Sequence, residues 1–366
     1  MNFLSQKPLL ASYRKYKKNL IIVDKNRYYS NYGPLYFKLK KKIEKKFKLK
    51  KFSISLASSG HSALQACCNL IAHNNKKKLV LVPSYSFASD PQAIIQSGLK
   101  PYFVDINPNT YEMDYDDSKK VLEKFKNKIA AIIICSPFGY PINLKKIYKI
   151  FSKYNIAIIY DAADAIINTT QILEKKNIFY TFSFHPTKNL PSNESGMIIS
   201  SKKYENSFKS ILNFGIDYDN RVIKFLGFNG KFSEYDAAIL DANFDTFHER
   251  KNKIKKISIY LNNHIKNKNL IKQDNFGKDW FGLKLILKHK KKSYNLIKKY
   301  FDKKKIFIFK PWNENTMHNY KIFNNYKKTK LTNTISETKK IFAVPIYIDM
   351  KMKELDYIIK SLNYLK

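Results

Sequence analysis

From about residue 50 to residue 200, short runs of β-branched and aromatic residues alternate with stretches whose apolar positions recur every three or four residues. That alternation predicts an α/β unit, a mainly parallel sheet flanked by helices. Strands are expected at 53–57, 79–82, 102–105, 130–135, 156–161, 180–184 and 197–200, and helices at 61–72, 89–97, 116–126, 144–153 and 202–212, each opening near a Ser, Asp or Asn signal. The run 130–135 is apolar at nearly every position, which requires burial on both faces. Past about Arg250 the texture shifts to longer Lys- and Asn-rich stretches, with strands expected at 281–287 and 306–309 and a terminal helix at 353–365. The expected organisation is a large unit over 1–245, including the amino-terminal segment, and a small α+β unit over 246–366.

Charge changes this picture little. The 366 residues carry a formal +39, a balance that would ordinarily point to nucleic acid or an anionic membrane. Of the 68 basic residues, however, only Arg14, Arg27, Arg221 and Arg250 are arginines, whereas guanidinium is the better fork for phosphates and bases. Lys is spread through the chain together with Asn, Ile, Tyr and Phe, the set that AT-rich codons supply. The charge is therefore read as compositional bias, with no nucleic-acid partner expected, although a cationic surface still favours polyanionic substrates. Cys67, Cys68 and Cys135 have neither metal-ligand spacing nor a paired framework, so core filling, a reducing compartment and no metal are expected. The first eight residues hold no apolar stretch and no later segment approaches the roughly 18 apolar residues of a membrane span, which reads as a cytoplasmic chain without membrane insertion.

Polar residues just past the predicted strands are the candidates for chemistry, because strand ends of an open parallel sheet form the usual ligand crevice. Ser58, Ser59, Gly60 and His61 join a strand to a helix, where small residues allow close backbone approach and free N–H groups attract phosphate. Such a turn also needs Ser and Gly for capping alone. Asp161 ends a strand, placed either to hold a protonated ring nitrogen or simply to cap a turn. Lys188 follows another strand, with Ser183 upstream as a phosphate ligand; an imine-forming lysine needs partial desolvation to supply neutral amine. Phe87 lies past a fourth strand, either as a platform for a planar ring or as one of the chain's 26 phenylalanines in a packing role.

In order and spacing, these segments resemble the DegT family, also called the StrS family, of pyridoxal-phosphate-dependent sugar aminotransferases. The resemblance is carried by the runs 29–35, Ser59 with Gly60, 82–87, 103–106, Asp161 with its two following alanines, 183–189, 226–234 and 344–347. It implies an aspartate-aminotransferase-like fold, fold type I of the pyridoxal phosphate enzymes, with the cofactor as electron sink. It implies Lys188 as the Schiff-base lysine and proton shuttle, Asp161 as partner of the pyridine nitrogen, Ser183 with backbone groups of Gly60 and His61 on the phosphate, and Phe87 stacked on the ring. Asn229 would reach the phosphate of a neighbouring subunit's cofactor, implying a homodimer with shared active sites. Lys188 stands where relatives acting as sugar dehydratases carry His, so transamination is expected, from an amino-acid donor, L-glutamate, to a nucleotide-linked keto-deoxysugar. The runs 30–35 and 227–234 look most like members acting at the C4 carbon. Free keto sugars, cyclitols and a non-catalytic cofactor-binding regulator are the alternatives. His318 and Trp312 are placed either to close on substrate or to pack.

Three positions depart from that family's pattern. His61 replaces a Thr, Glu194-Ser-Gly196 replaces Glu-Gly-Gly, and Asp164 stands where a Gln or His partners the cofactor's ring oxygen. A second carboxylate at that point is expected to repel the ring oxygen unless a proton is shared.

Overall fold

The computed structural model describes residues 7–165, 172–217, 219–312 and 315–365. In chain order its strands are β1 (Phe52–Ala57), β2 (Leu79–Pro83), β3 (Lys100–Val104), β4 (Ile129–Cys135), β5 (Ala157–Asp161), β6 (Ile178–Ser183), β7 (Gly196–Ser201), β8 (Leu270–Lys272), β9 (Lys284–His289) and β10 (Ile341–Pro345). The first seven form one sheet in the order β1-β7-β6-β5-β4-β2-β3. Only β7 runs against its neighbours, pairing antiparallel with both β1 and β6. All seven expected strands are present within two residues, and the sheet is mainly parallel as the patterning predicts.

Each strand of this sheet feeds two cores, which is why these segments read as nearly continuous apolar runs. In β4, Ile132 and Ile134 face one core while Ala131, Ile133 and Cys135 face the other. The first core is covered by the helices Pro34–Phe47, Tyr115–Phe125, Leu144–Phe151 and Glu234–Asp245, and the second by Gly60–Asn74, Ser89–Gln96 and Glu205–Ile211. The expected helix at 202–212 opens as a single 3₁₀ turn, Lys202–Tyr204, before becoming α-helical.

Strands β8, β9 and β10 form a separate antiparallel sheet in the order β10-β9-β8. The helices Phe247–His264, Tyr294–Lys303 and Met352–Asn363 pack on it around Leu285, Leu287, Phe301 and Phe342. The strand expected at 281–287 is β9, shifted towards its C-terminal end, whereas 306–309 forms no strand and contributes only a bridge from Phe309 to Ala343. The chain then returns to the large sheet. Phe103 of β3 exchanges backbone hydrogen bonds with Lys327 and Thr329, and Met317 and Phe323 enter the second core. An aromatic cluster of Tyr85, Tyr111, Phe138, Phe309 and Trp312, with Ile286 of β9, joins the two sheets. Among the described residues, no helix is long and apolar enough to cross a membrane.

Candidate active site

The parallel strands β2, β4, β5 and β6 all end on one rim, where a cavity of about 460 Å³ opens between the two sheets. Gly60, His61, Phe87, Asp161, Asp164, Ser183 and Lys188 all line it. Four segments far apart in the sequence are thus brought to one volume by strand order.

Backbone packing shapes the floor. Ser59 caps the helix Gly60–Asn74 by accepting a hydrogen bond from the Ser62 N–H at 3.0 Å, and the first N–H groups of that helix lack intrahelical partners. A Cβ on Gly60 would lie 2.7 Å from the Ser183 Cβ, so only glycine lets the helix start approach β6 this closely. Gly196 faces a similar limit, since its Cβ would fall 2.2 Å from the Ser59 carbonyl oxygen; Ser195, the departure before it, turns its hydroxyl to Ser192. The imidazole of His61 lies 3.0 Å from the Gln96 side-chain oxygen. Phe87 is 53% exposed and lines the cavity wall.

Three carboxylates define the electrostatics. Asp161 accepts a hydrogen bond from the Ala163 N–H at 3.0 Å, and burial raises its carboxyl against the opposing pull of that bond and of Lys188. Asp164 is buried: its Oδ1 lies 2.5 Å from Lys188 Nζ and its Oδ2 lies 2.7 Å from Lys284 Nζ. Burial works to raise the Asp164 carboxyl, but the two ammonium groups outweigh it and hold it well below the usual carboxylate range. The third carboxylate, Asp90, is fully buried under Asp161. Its Oδ2 accepts from the Cys135 thiol at 3.1 Å while its Oδ1 has no hydrogen-bond partner, and burial followed by the charge of Asp161 pushes it well above the ordinary value.

Sequence reasoning missed Asp90, Cys135 and Lys284. The Asp90 position reads as an ordinary acidic first-turn residue, and Lys284 reads as the solvent side of an alternating strand. Cys67, Cys68 and Cys135 all fill the second core as expected, and Cys135 also borders the cavity. Trp312 lines the cavity, whereas His318 does not: it is buried 2.6 Å from the Ser84 hydroxyl and packs the segment that returns to β3. Asn229 lies outside the cavity of its own chain, exposed, with its side-chain oxygen accepting from Lys231 Nζ at 2.7 Å.

The fold is that of the pyridoxal-phosphate-dependent aminotransferases. A solved structure of a putative PLP-dependent aminotransferase from Bacillus cereus ATCC 10987 superposes with a TM-score of 0.90 at 25% identity, covering 99% of this chain and 100% of that one. Residues 13–363 match the DegT/DnrJ/EryC1/StrS aminotransferase family, and the chain belongs to that family. It is 30% identical over 240 residues to a dTDP-4-amino-4,6-dideoxy-D-glucose transaminase of Shigella dysenteriae, 64% of this chain and 62% of that protein. The matched segment thus spans a little under two thirds of that relative's length. A structure of DesI solved with its TDP-sugar product shares the fold, with a TM-score of 0.84 at 19% identity over 99% of this chain and 93% of that one.

Proposed function

We propose that this chain is a pyridoxal-phosphate-dependent aminotransferase that moves an amino group from an amino acid, L-glutamate, to a nucleotide-linked keto-deoxysugar. The observation that carries this reading is the meeting of Lys188, Asp161, Ser183, Gly60 and Phe87 around one cavity at the strand ends.

The residues present suit that cofactor. A half-exposed aromatic ring, a glycine-paved helix start beside Ser183 and a strand-end carboxylate are the donor set that a phosphorylated pyridine ring needs. When bound, the cofactor supplies an electron sink for breaking bonds at the carbon that bears the amino group. Lys188 Nζ would hold its aldehyde carbon and, once released, move a proton at the substrate carbon. Asp161 would face the ring nitrogen and keep its proton in place, a role helped by the buried Asp90 behind it. Ser183 and the N–H groups of Gly60 and His61 would orient the phosphate, and Phe87 would exclude water from one ring face. Asn229, exposed on its own chain, would extend to the site of a second copy, so that the working form is a homodimer.

The relative's dTDP-sugar name and the cationic side chain of Lys310 at the cavity support a nucleotide-linked acceptor. A panel of nucleotide-linked and free ketones, each supplied with glutamate, tests it. Turnover of the nucleotide-linked compounds is expected, and turnover of free sugars or cyclitols alone would contradict the substrate class. For Asp161→Asn the fold and cofactor should be kept while turnover falls roughly 100-fold or more, because the neutral amide no longer opposes the ring cation.

A further inference from the structure

The Asp164 carboxylate has two lysine partners, one from a turn of the larger unit and one from the smaller sheet. Lys188 comes from the turn after β6, while Lys284 belongs to β9 and reaches across from the smaller sheet. The three side chains are only 21%, 9% and 18% exposed for Lys188, Asp164 and Lys284. A carboxylate this buried is costly to leave without a partner. If Lys188 bonds the cofactor, its ammonium is withdrawn from Asp164 Oδ1.

We propose that Lys284 is a positioning residue that frees Lys188 for the cofactor: it keeps Asp164 paired through Oδ2 when Lys188 leaves, so that Lys188 can be withdrawn without stranding a buried carboxylate. This deepens the reading of Lys188 given above and rests on it. It also accounts for the aspartate at a position where a donor to the cofactor's ring oxygen is expected. The Lys284 ammonium supplies the positive charge that an isolated carboxylate lacks, so the pair presents no net repulsion to that oxygen. Lys284 is itself held below its usual value, lowered by burial, raised by Asp164 and lowered again by Lys188.

Several charged groups face Lys188. Asp161 and Asp164 approach from the end of β5, His185 from its own segment, and Lys284 from β9. Asp90, His61, Glu194 and Lys310 stand on the same cavity wall, and Lys7 and Arg250 approach from the reverse side. Of these only Lys284 shares the Asp164 carboxylate with it.

The test is competitive acetylation of the full chain freed of cofactor, followed across pH by mass spectrometry of the peptide that carries Lys188. Lys284→Met should raise the Lys188 titration midpoint by about one pH unit or more, because a repelling charge is lost and Asp164 falls wholly to Lys188. Lys284→Gln, which keeps a polar end but no charge, should do the same, and Lys284→Arg should restore the wild-type midpoint. At a fixed pH near 8, the rate of pyridoxal phosphate uptake should fall about tenfold in the Met and Gln variants, in step with the loss of neutral amine. An unchanged midpoint in either folded variant overturns the proposal. The titration needs no cofactor, so its failure is distinct from a failure of Lys188 to bond one.

Discussion

At Gly60 the limit is set by one missing carbon. A Cβ there meets Ser183 at 2.7 Å, so Gly60→Ala must push the helix start away from β6. The expected cost is about 1 to 3 kcal/mol in a denaturant melt, with weakened phosphate and pyridoxal phosphate binding by titration. A second residue responds to pH. Burial raises the Asp236 carboxyl to about 6, above its unfolded value, although it accepts a hydrogen bond from the Glu194 N–H. The folded state therefore binds the proton more tightly, and that contribution to stability is full below the unfolded value and is lost as pH rises through about 6. Asp236→Asn removes the loss, so its melting temperature should exceed wild type at pH 7.5 by an amount corresponding to about 1 kcal/mol and match it near pH 4. Among site residues, those on strand-end turns were legible because turn chemistry and family order both mark them. Lys284 was not, since Leu283 and Leu285 flank it as in any half-exposed strand, and only the other sheet's approach buries it. Asp90 was hidden by the same logic, its burial arising from β4 and β5 overhead.

Elements are tied together by side chains distant in sequence. Glu234, at the start of one helix, accepts from the N–H groups of Leu35 at 2.8 Å and Tyr36 at 2.7 Å, capping the helix Pro34–Phe47 that begins two hundred residues earlier. Glu234→Ala strips both bonds from a buried helix end and should cost about 2 to 3 kcal/mol by thermal or denaturant unfolding, with Glu234→Gln milder. The strands of the large sheet were readable to within two residues because both faces are buried and the apolar runs are unbroken. The helices Tyr13–Asn26 and Pro34–Phe47 were not, as their lysines mask a narrow apolar stripe. The segment 306–309 misled for the opposite reason: it is apolar because Ile306 and Ile308 enter the core of the smaller sheet, not because it pairs along its length.

For the whole molecule, the segment leading to Asn229 carries Ile223 at 75% exposure and Leu226 at 69%, beside half-exposed Phe214 and Val222. Such a cluster on a folded chain calls for a partner, and in the proposed homodimer the second copy would cover it. Ile223→Asp combined with Leu226→Asp should yield monomers by sedimentation velocity and, because Asn229 then reaches no second site, weaker cofactor retention. Among the many lysines of this chain, Lys188 is the one proposed to bond the cofactor. Borohydride reduction of the protein loaded with pyridoxal phosphate, followed by peptide mapping, should put the pyridoxyl mass on Lys188 and lose it in Lys188→Ala; an adduct on Lys284 or scattered over surface lysines would overturn that assignment.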